Sequence, residues 1–149
     1  MTLRETLSAD MKEAMKAREA GKLRLAVIRM AWSSIRNKEI DEKKELSDEE
    51  IMAVLMKEVK QREDSIAEFK TAGRDELVAK NEEEIAILKK YLPEQLSDDD
   101  LKKIIAETIT AVHAAGPKDM GKVMGTVIGK TKGRADGKKI NSIVRELLK

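Results

Sequence analysis

The sequence lacks cysteine and carries only three aromatic residues, two prolines and one histidine among 149 residues. Without cysteine it has no disulfide framework, thiolate nucleophile or cysteine zinc site. One histidine cannot build the multi-histidine clusters typical of zinc centres, so we expect no metal and no cofactor. No apolar run reaches the roughly 20 residues of a membrane span, and the acidic first ten residues do not resemble a signal peptide. These absences predict a cytoplasmic protein without a membrane partner.

The scarcity of aromatic residues also indicates the fold class. Trp32, Phe69 and Tyr91 are the only aromatic residues, whereas strands favour aromatic and β-branched side chains. The sequence is instead rich in Leu, Ile, Met, Ala, Lys and Glu, most of which are good helix formers. Charged residues make up 39% and hydrophobic residues 41% of the chain, a balance typical of amphipathic helices. We therefore predict an all-α fold.

Helix signals divide residues 1–92 into four helices. Capping boxes at residues 2–5 and 47–50 predict two helix starts, because a hydroxyl and a carboxylate reciprocally bind the free amides there. Gly21 and Gly73 predict two ends. Apolar residues recur at helical spacing between these signals. Four helices with short joints predict an antiparallel helical bundle.

A boundary is predicted near Pro93, which disfavours helical geometry at the preceding residue. Ser97 then provides an N-cap before three acidic residues, which favour a helix start. Gly116-Pro117 and the glycine-containing segment 132–137 divide the remainder into three helices. We therefore predict an N-terminal antiparallel helical bundle over residues 1–92 and a small three-helix tail domain over residues 93–149.

The net charge of +2 conceals a strong pattern along the chain. Residues 16–38 hold seven basic residues and one acid, and residues 117–149 hold nine basic residues and three acids. The residues between these segments carry an excess of acids. Solvated helix faces explain such runs in the simplest way. The alternative is a surface that binds a polyanion, of which nucleic acid is the usual example.

The sequence marks no catalytic residue. His113 lies at the edge of an apolar stripe, where we expect a structural role. Ser33 and Ser34 fall within a helix without the exposed turn of a serine nucleophile. Residues 125–131 (GTVIGKT) resemble a phosphate-binding loop, but that motif needs four residues between its glycines and a preceding strand. We therefore expect no nucleotide site.

Three glycines at four-residue spacing, Gly121, Gly125 and Gly129, are predicted to lie within one helix. Each costs about 1 kcal/mol relative to alanine in a helix interior, so some interaction should offset the loss. The first interpretation is a close helix–helix crossing. The second is close approach of a ligand backbone, helped by nearby basic residues. The two interpretations do not exclude each other, because each can apply to different glycines.

The same scarcity of aromatic residues limits how this chain could bind RNA. Readers of single strands stack bases on aromatic rings, and three rings that mostly lie on apolar faces provide no such platform. Recognition would instead use phosphates and overall shape. A folded RNA such as tRNA suits this mode.

At the level of motifs, the chain resembles the GatB/YqeY family, specifically its stand-alone YqeY-like members. The matching segments are residues 22–30 (KLRLAVIRM), 57–62 (KEVKQR), 91–96 (YLPEQL), 120–125 (MGKVMG) and 132–137 (KGRADG), with Asn141. The resemblance implies a helical bundle followed by a tail domain, similar to the C-terminal part of the GatB component of the glutamyl/aspartyl-tRNA amidotransferase. In that enzyme the tail helps to hold the tRNA, whereas the catalytic parts lie elsewhere.

From residues and resemblance together we predict a non-catalytic, tRNA-associated binding module. The predicted phosphate contacts are Lys122, Lys130, Lys132, Arg134, Lys138 and Lys139. The predicted positions of close backbone approach are Gly121, Gly125, Gly129, Gly133 and Gly137. One alternative is an adaptor that docks on an amidotransferase or an aminoacyl-tRNA synthetase. A second alternative, implied by the resemblance alone, is a carbon–nitrogen ligase activity with glutamine as amide donor, exerted within a complex.

Overall fold

The computed structural model describes all 149 residues and consists of seven α-helices and two short 3-10 turns, without strands. The helices are α1 (Leu3–Lys16), α2 (Lys22–Glu42), α3 (Asp48–Thr71), α4 (Asp75–Lys89), α5 (Asp98–Ala111), α6 (Met120–Lys130) and α7 (Gly137–Leu147). The 3-10 turns are Arg18–Gly21 and Pro117–Asp119. The predicted all-α fold class is confirmed. None of the helices combines the length and the apolar character that crossing a membrane requires.

Both predicted capping boxes form. Thr2 caps α1 with Glu5, and Ser47 caps α3 with Glu50. The Lys44 ammonium, which donates to Glu50 over 2.8 Å, and the Ser47 backbone amide hold the pKa of the Glu50 carboxyl at about 2. The start of α3 is therefore fixed by local chemistry that the sequence displays.

Contacts within the chain define two compact units, the N-terminal unit Met1–Leu92 and the C-terminal unit Pro93–Lys149. Each unit has its own apolar core. The N-terminal core is built from buried residues of α1 to α4 and of the α2–α3 connection: Leu7, Val27, Ala31, Ile35, Leu46, Ile51, Val54, Leu55, Val59, Ile85 and Leu88. The C-terminal core is built from α5, α6, α7 and the residue after α7: Leu101, Ile105, Val123, Val127, Ile140, Ile143, Val144 and Leu148.

Within the N-terminal unit, α1 and α2 form an antiparallel hairpin. Arg4 near the start of α1 pairs with Glu39 near the end of α2, and Arg24 near the start of α2 lies 3.9 Å from Glu13. The turn between them requires Gly21, because a Cβ atom there would lie 2.2 Å from the carbonyl oxygen of Ala14. Gly21 is thus a point of close backbone packing. The helix α1 itself ends earlier than predicted, at Lys16, and the 3-10 turn Arg18–Gly21 follows it.

Candidate nucleic-acid interface

The glycines of α6 lie on the side of the helix that faces away from the core. Val123 and Val127 are fully buried, whereas Gly121, Gly125 and Gly129 are exposed. At about 100° per residue, the mean direction of the three glycines is roughly opposite that of the two valines. This arrangement forms a solvent-facing strip without side chains, which we call the glycine strip.

The glycine strip is open along its whole length. A Cβ atom added at Gly121, Gly125 or Gly129 would have no neighbouring atom within 4 Å. The first sequence interpretation, a close helix–helix crossing, is therefore wrong within this chain. The physical reason is that Val123 and Val127, with Met120 and Met124 beside them, pack α6 against the core, so the glycines face away from the other helices. Gly137 at the start of α7 is open in the same way.

The connection between α6 and α7 is held by a set of short hydrogen bonds. Thr131 is buried, and its hydroxyl donates to the carbonyl of Val127 over 2.8 Å. The amide of Arg134 donates to the carbonyl of Thr131, also over 2.8 Å. Gly133 adopts a φ of 70°, a conformation that favours glycine. The side chain of Asp136 then accepts from the amide of Lys138 and caps α7.

The segment that precedes α5 packs onto this same connection. The Gln95 side chain donates to the carbonyl of Gly133 over 2.7 Å, and the Leu96 amide donates to the carbonyl of Arg134 over 2.9 Å. The sequence did not lead us to predict this contact between Gln95, Leu96 and the α6–α7 connection. One sign of it was present, because residues 91–96 and 132–137 both belong to the motifs that carry the resemblance.

Three of the six predicted phosphate-binding side chains make contacts within the C-terminal unit. The Lys130 ammonium donates to the Thr108 hydroxyl over 3.1 Å. The Arg134 Nε–H donates to the carbonyl of Glu94 over 3.2 Å. Lys139 forms an ion pair of 2.5 Å with Asp98 and keeps the pKa of that carboxyl below its usual value. These contacts orient the three cations around the α6–α7 connection. At Lys139, the Asp98 carboxylate would compete with a phosphate for the ammonium group.

The side chains of Lys122 and Lys138 are exposed and form neither an ion pair nor a hydrogen bond. Lys138 occupies the first turn of α7, and Lys132 is an exposed residue of the connection. Lys122 lies on α6 next to the glycine strip, about 12 Å along the helix from Lys130 at 1.5 Å per residue. Five predicted cations therefore cluster within ten residues, and Lys122 extends the basic character along the strip.

Acidic groups border this basic cluster. Asp119 precedes α6, and the amide of Ala115 donates to its side chain over 2.8 Å. This bond, helped by the charges of Lys118 and Lys122, lowers the pKa of the Asp119 carboxyl. Asp119 therefore carries a negative charge near the Gly121 end of the glycine strip, close to Lys122.

The residues considered for catalysis occupy structural positions. His113 follows α5 in the left-handed conformation, with a φ of 55°. Residues 125–130 lie inside α6, so the segment that resembles a phosphate-binding loop is helical. Ser34 donates to the Glu58 carboxylate over 2.6 Å, and that carboxylate is itself paired with Arg62 inside the N-terminal unit.

The fold and the site together define an all-α protein with two cores and a basic, glycine-lined helix in its C-terminal unit. A family model described as Yqey-like protein matches residues 4–148. The chain belongs to this Yqey-like family, and the resemblance seen in its motifs is confirmed.

Among its relatives are fungal proteins named "Altered inheritance of mitochondria protein 41, mitochondrial". The Candida glabrata protein is 40% identical over 116 residues, which cover 75% of this chain and 63% of that protein. The Kluyveromyces lactis protein is 37% identical over 130 residues, which cover 84% of this chain and 69% of that protein. The chain thus spans about two thirds of the length of these relatives.

The names of these relatives contradict the predicted cytoplasmic location. That prediction rests on the lack of cysteine and of apolar spans. Neither property distinguishes the cytoplasm from an aqueous compartment inside an organelle, so the composition is insufficient for the inference.

Proposed function

We propose that this chain is a non-catalytic, tRNA-associated binding module that contacts the RNA through its C-terminal unit. The observation that carries the proposal is the open glycine strip of α6 beside a cluster of cations. Glycine in a helix interior, the position of Gly125, costs about 1 kcal/mol relative to alanine, and Gly121 and Gly129 lie one residue inside the two ends of α6. Packing within the chain does not explain them, whereas close approach of an external backbone would.

The chemistry of the strip matches a phosphate backbone. A helix face without side chains lets a bulky polymer come within reach of flanking side chains. Lys122 and Lys138 are available for phosphates, and Lys130, Lys132 and Arg134 lie around the adjoining connection. Such contacts position the protein on RNA without reading bases. The module would thus recognise the shape of tRNA.

We further propose that the two units correspond to the parts that the resemblance implies. The N-terminal unit would be the antiparallel helical bundle, and the C-terminal unit would be the three-helix tail domain that holds the RNA. Contacts at both ends of the α1–α2 hairpin support the antiparallel arrangement.

The second proposal is an adaptor that docks on an amidotransferase or an aminoacyl-tRNA synthetase. It is favoured by two large apolar side chains of α2 in the N-terminal unit, Met30 and Ile40, which are 54% and 72% exposed. Capture from a nuclease-treated lysate separates the two proposals. Retention of such an enzyme without RNA would favour docking, and its loss after nuclease treatment would favour RNA binding.

The test is a titration of tRNA with wild-type protein and with Lys122→Gln/Lys138→Gln. Neither lysine side chain forms an ion pair or a hydrogen bond, so we expect the fold to stay intact when both are replaced. We expect a loss of affinity of about tenfold, because each phosphate contact contributes through counterion release. Changing Lys130 or Arg134 would be less informative, since each also makes a hydrogen bond within the unit.

The matched control is Lys102→Gln/Lys103→Gln, which removes the same charge from exposed positions of α5 in the same unit. It should bind tRNA nearly as well as the wild type. Equal losses in both double variants would reduce the effect to net charge and contradict an interface at the glycine strip. Absence of binding at low salt would overturn the proposal altogether.

A further inference from the structure

A cavity of about 440 Å³ lies between α1 and α2 of the N-terminal unit. This volume falls within the range of roughly 300 to 1,000 Å³ that is usual for small-molecule sites. It is lined by Ser8 and Met11 of α1 and by Arg29, Trp32, Ser33 and Arg36 of α2. The lining residues carry two guanidinium groups and two hydroxyls as their polar groups, beside the Met11 side chain and the Trp32 ring. None of the lining residues carries a negative charge, so the cavity suits an anion.

The two arginines of the cavity lack the partners that other arginines of this unit have. Arg4 pairs with Glu39 and Glu45, and Arg62 pairs with Glu58. Arg29 instead contacts the sulfur of Met15 at 3.8 Å. Arg36 forms no hydrogen bond or ion pair, and its charge acts on Glu39 only from a distance, where it helps to lower the pKa of that carboxyl. Two like charges held at one cavity repel each other, and a bound anion would relieve this repulsion.

Helix geometry brings the donors together. Arg29, Ser33 and Arg36 are spaced i, i+4 and i+7, which places them on one face of α2. The two arginines are about 10.5 Å apart along the axis, with Ser33 between them. Both guanidinium groups are long enough to reach an anion held over the serine. Ser8 adds a hydroxyl from α1.

The remaining lining supplies apolar surface. Met11 and Trp32 line the cavity beside the donors. Arg4 lies over the Trp32 ring, 5.3 Å from its centroid, and supports the indole in position. The indole N–H is buried and has no acceptor in the protein. A ligand that combines an anionic group with a flat apolar part would therefore match the cavity better than a bare ion.

We propose that this cavity binds a small organic phosphate monoester. Its dianionic phosphate lies between Arg29 and Arg36 and accepts hydrogen bonds from the hydroxyls of Ser8 and Ser33. Its organic part packs against Met11 and Trp32. Guanidinium groups suit this role because their paired N–H donors match the oxygens of a phosphate. The site is independent of RNA binding by the C-terminal unit.

The test uses phenyl phosphate as the probe and Trp32 as the reporter. Trp32 is the only tryptophan, so its fluorescence responds at this cavity alone. We expect a saturable change with phenyl phosphate, a weaker response to inorganic phosphate and none to phenol. Calorimetry on the same samples detects binding that leaves the emission unchanged.

Arg29→Gln and Arg36→Gln should each raise the dissociation constant at least about tenfold, which corresponds to about 1.4 kcal/mol. Both side chains are exposed, so the variants should fold, and circular dichroism verifies this. The matched control is Arg18→Gln, which removes one exposed arginine of the same hairpin outside the cavity and should bind as the wild type does.

Three results would overturn the proposal. The first is the absence of phenyl phosphate binding by both methods in the millimolar range, and the second is equal binding by the double variant Arg29→Gln/Arg36→Gln. The third is a Trp32 response to tRNA, lost in Arg29→Gln, with none to phenyl phosphate. That outcome would assign the arginines to an RNA backbone instead of a small ligand.

Discussion

At the residue scale, glycines of this chain serve opposite purposes. Gly21 is required by packing, because the Ala14 carbonyl occupies the space that a side chain would need. Gly125 has open space in place of a neighbour and sits inside a helix with a negative φ. Its effect within the chain is therefore only the entropic cost of glycine in a helix. Alanine substitutions at Gly21 and Gly125 can therefore be compared to test whether the glycine strip is open or packed.

Gly125→Ala should raise the free energy of unfolding by about 0.5–1 kcal/mol, because alanine restores helix propensity without a clash. Gly21→Ala should lower it, because the new methyl group would overlap backbone atoms of α1. Urea unfolding followed by circular dichroism measures both changes. A destabilised Gly125→Ala variant would show that the strip is packed, and the interface would lose its main support.

At the scale of secondary-structure elements, α3 buries an ion pair that links three helices. Glu58 accepts from the Ser34 hydroxyl of α2 over 2.6 Å and from the Arg62 guanidinium over 2.9 Å. Arg62 also lies 3.7 Å from Glu84 of α4. Glu58 and Arg62 are only 8% and 6% exposed, so solvent screens their attraction little. The pair fixes the relative position of α2, α3 and α4, because its hydrogen bonds and ion contacts require a defined geometry.

Arg62→Met should destabilise the N-terminal unit by about 3–5 kcal/mol, because it leaves a buried carboxylate without its cation. The double variant Glu58→Leu/Arg62→Met removes the unpaired charge of Glu58, leaves only Glu84 without its arginine, and should recover part of that loss. Chemical unfolding of the wild type, the single variant and the double variant gives the comparison. If Arg62→Met cost less than about 1 kcal/mol, the pair would not organise the three helices.

Also at the element scale, helix boundaries were largely predictable from the sequence, whereas contacts between helices were not. The capping boxes at Thr2 and Ser47 and the break at Pro93 act locally, so short patterns reveal them. The pairing of Lys139 with Asp98 joins residues 41 positions apart, and no local pattern encodes it. The open direction of the glycine strip was not predicted either: from the sequence a helix–helix crossing was the first interpretation, and the structure leaves the three glycines open.

At the scale of the whole molecule, the net charge of +2 is the sum of basic and acidic segments that are distributed over both units. Each unit contains one basic segment, residues 16–38 and residues 117–149. In the N-terminal unit, Arg29 and Arg36 of this segment line a cavity. In the C-terminal unit, the cations surround a helix connection and an open helix face. Similar charge therefore supports two different proposals, a small phosphate in one unit and a polymer of phosphates in the other.

The central claim, that the C-terminal unit binds RNA through phosphates, is tested most directly by the salt dependence of tRNA affinity. Several phosphate contacts should give a linear fall of log affinity with log salt, with a slope steeper than about −2. Lys122→Gln/Lys138→Gln should make that slope shallower by about 1 to 2. An affinity that is independent of salt, or a slope that the double variant leaves unchanged, would contradict RNA binding through these phosphate contacts.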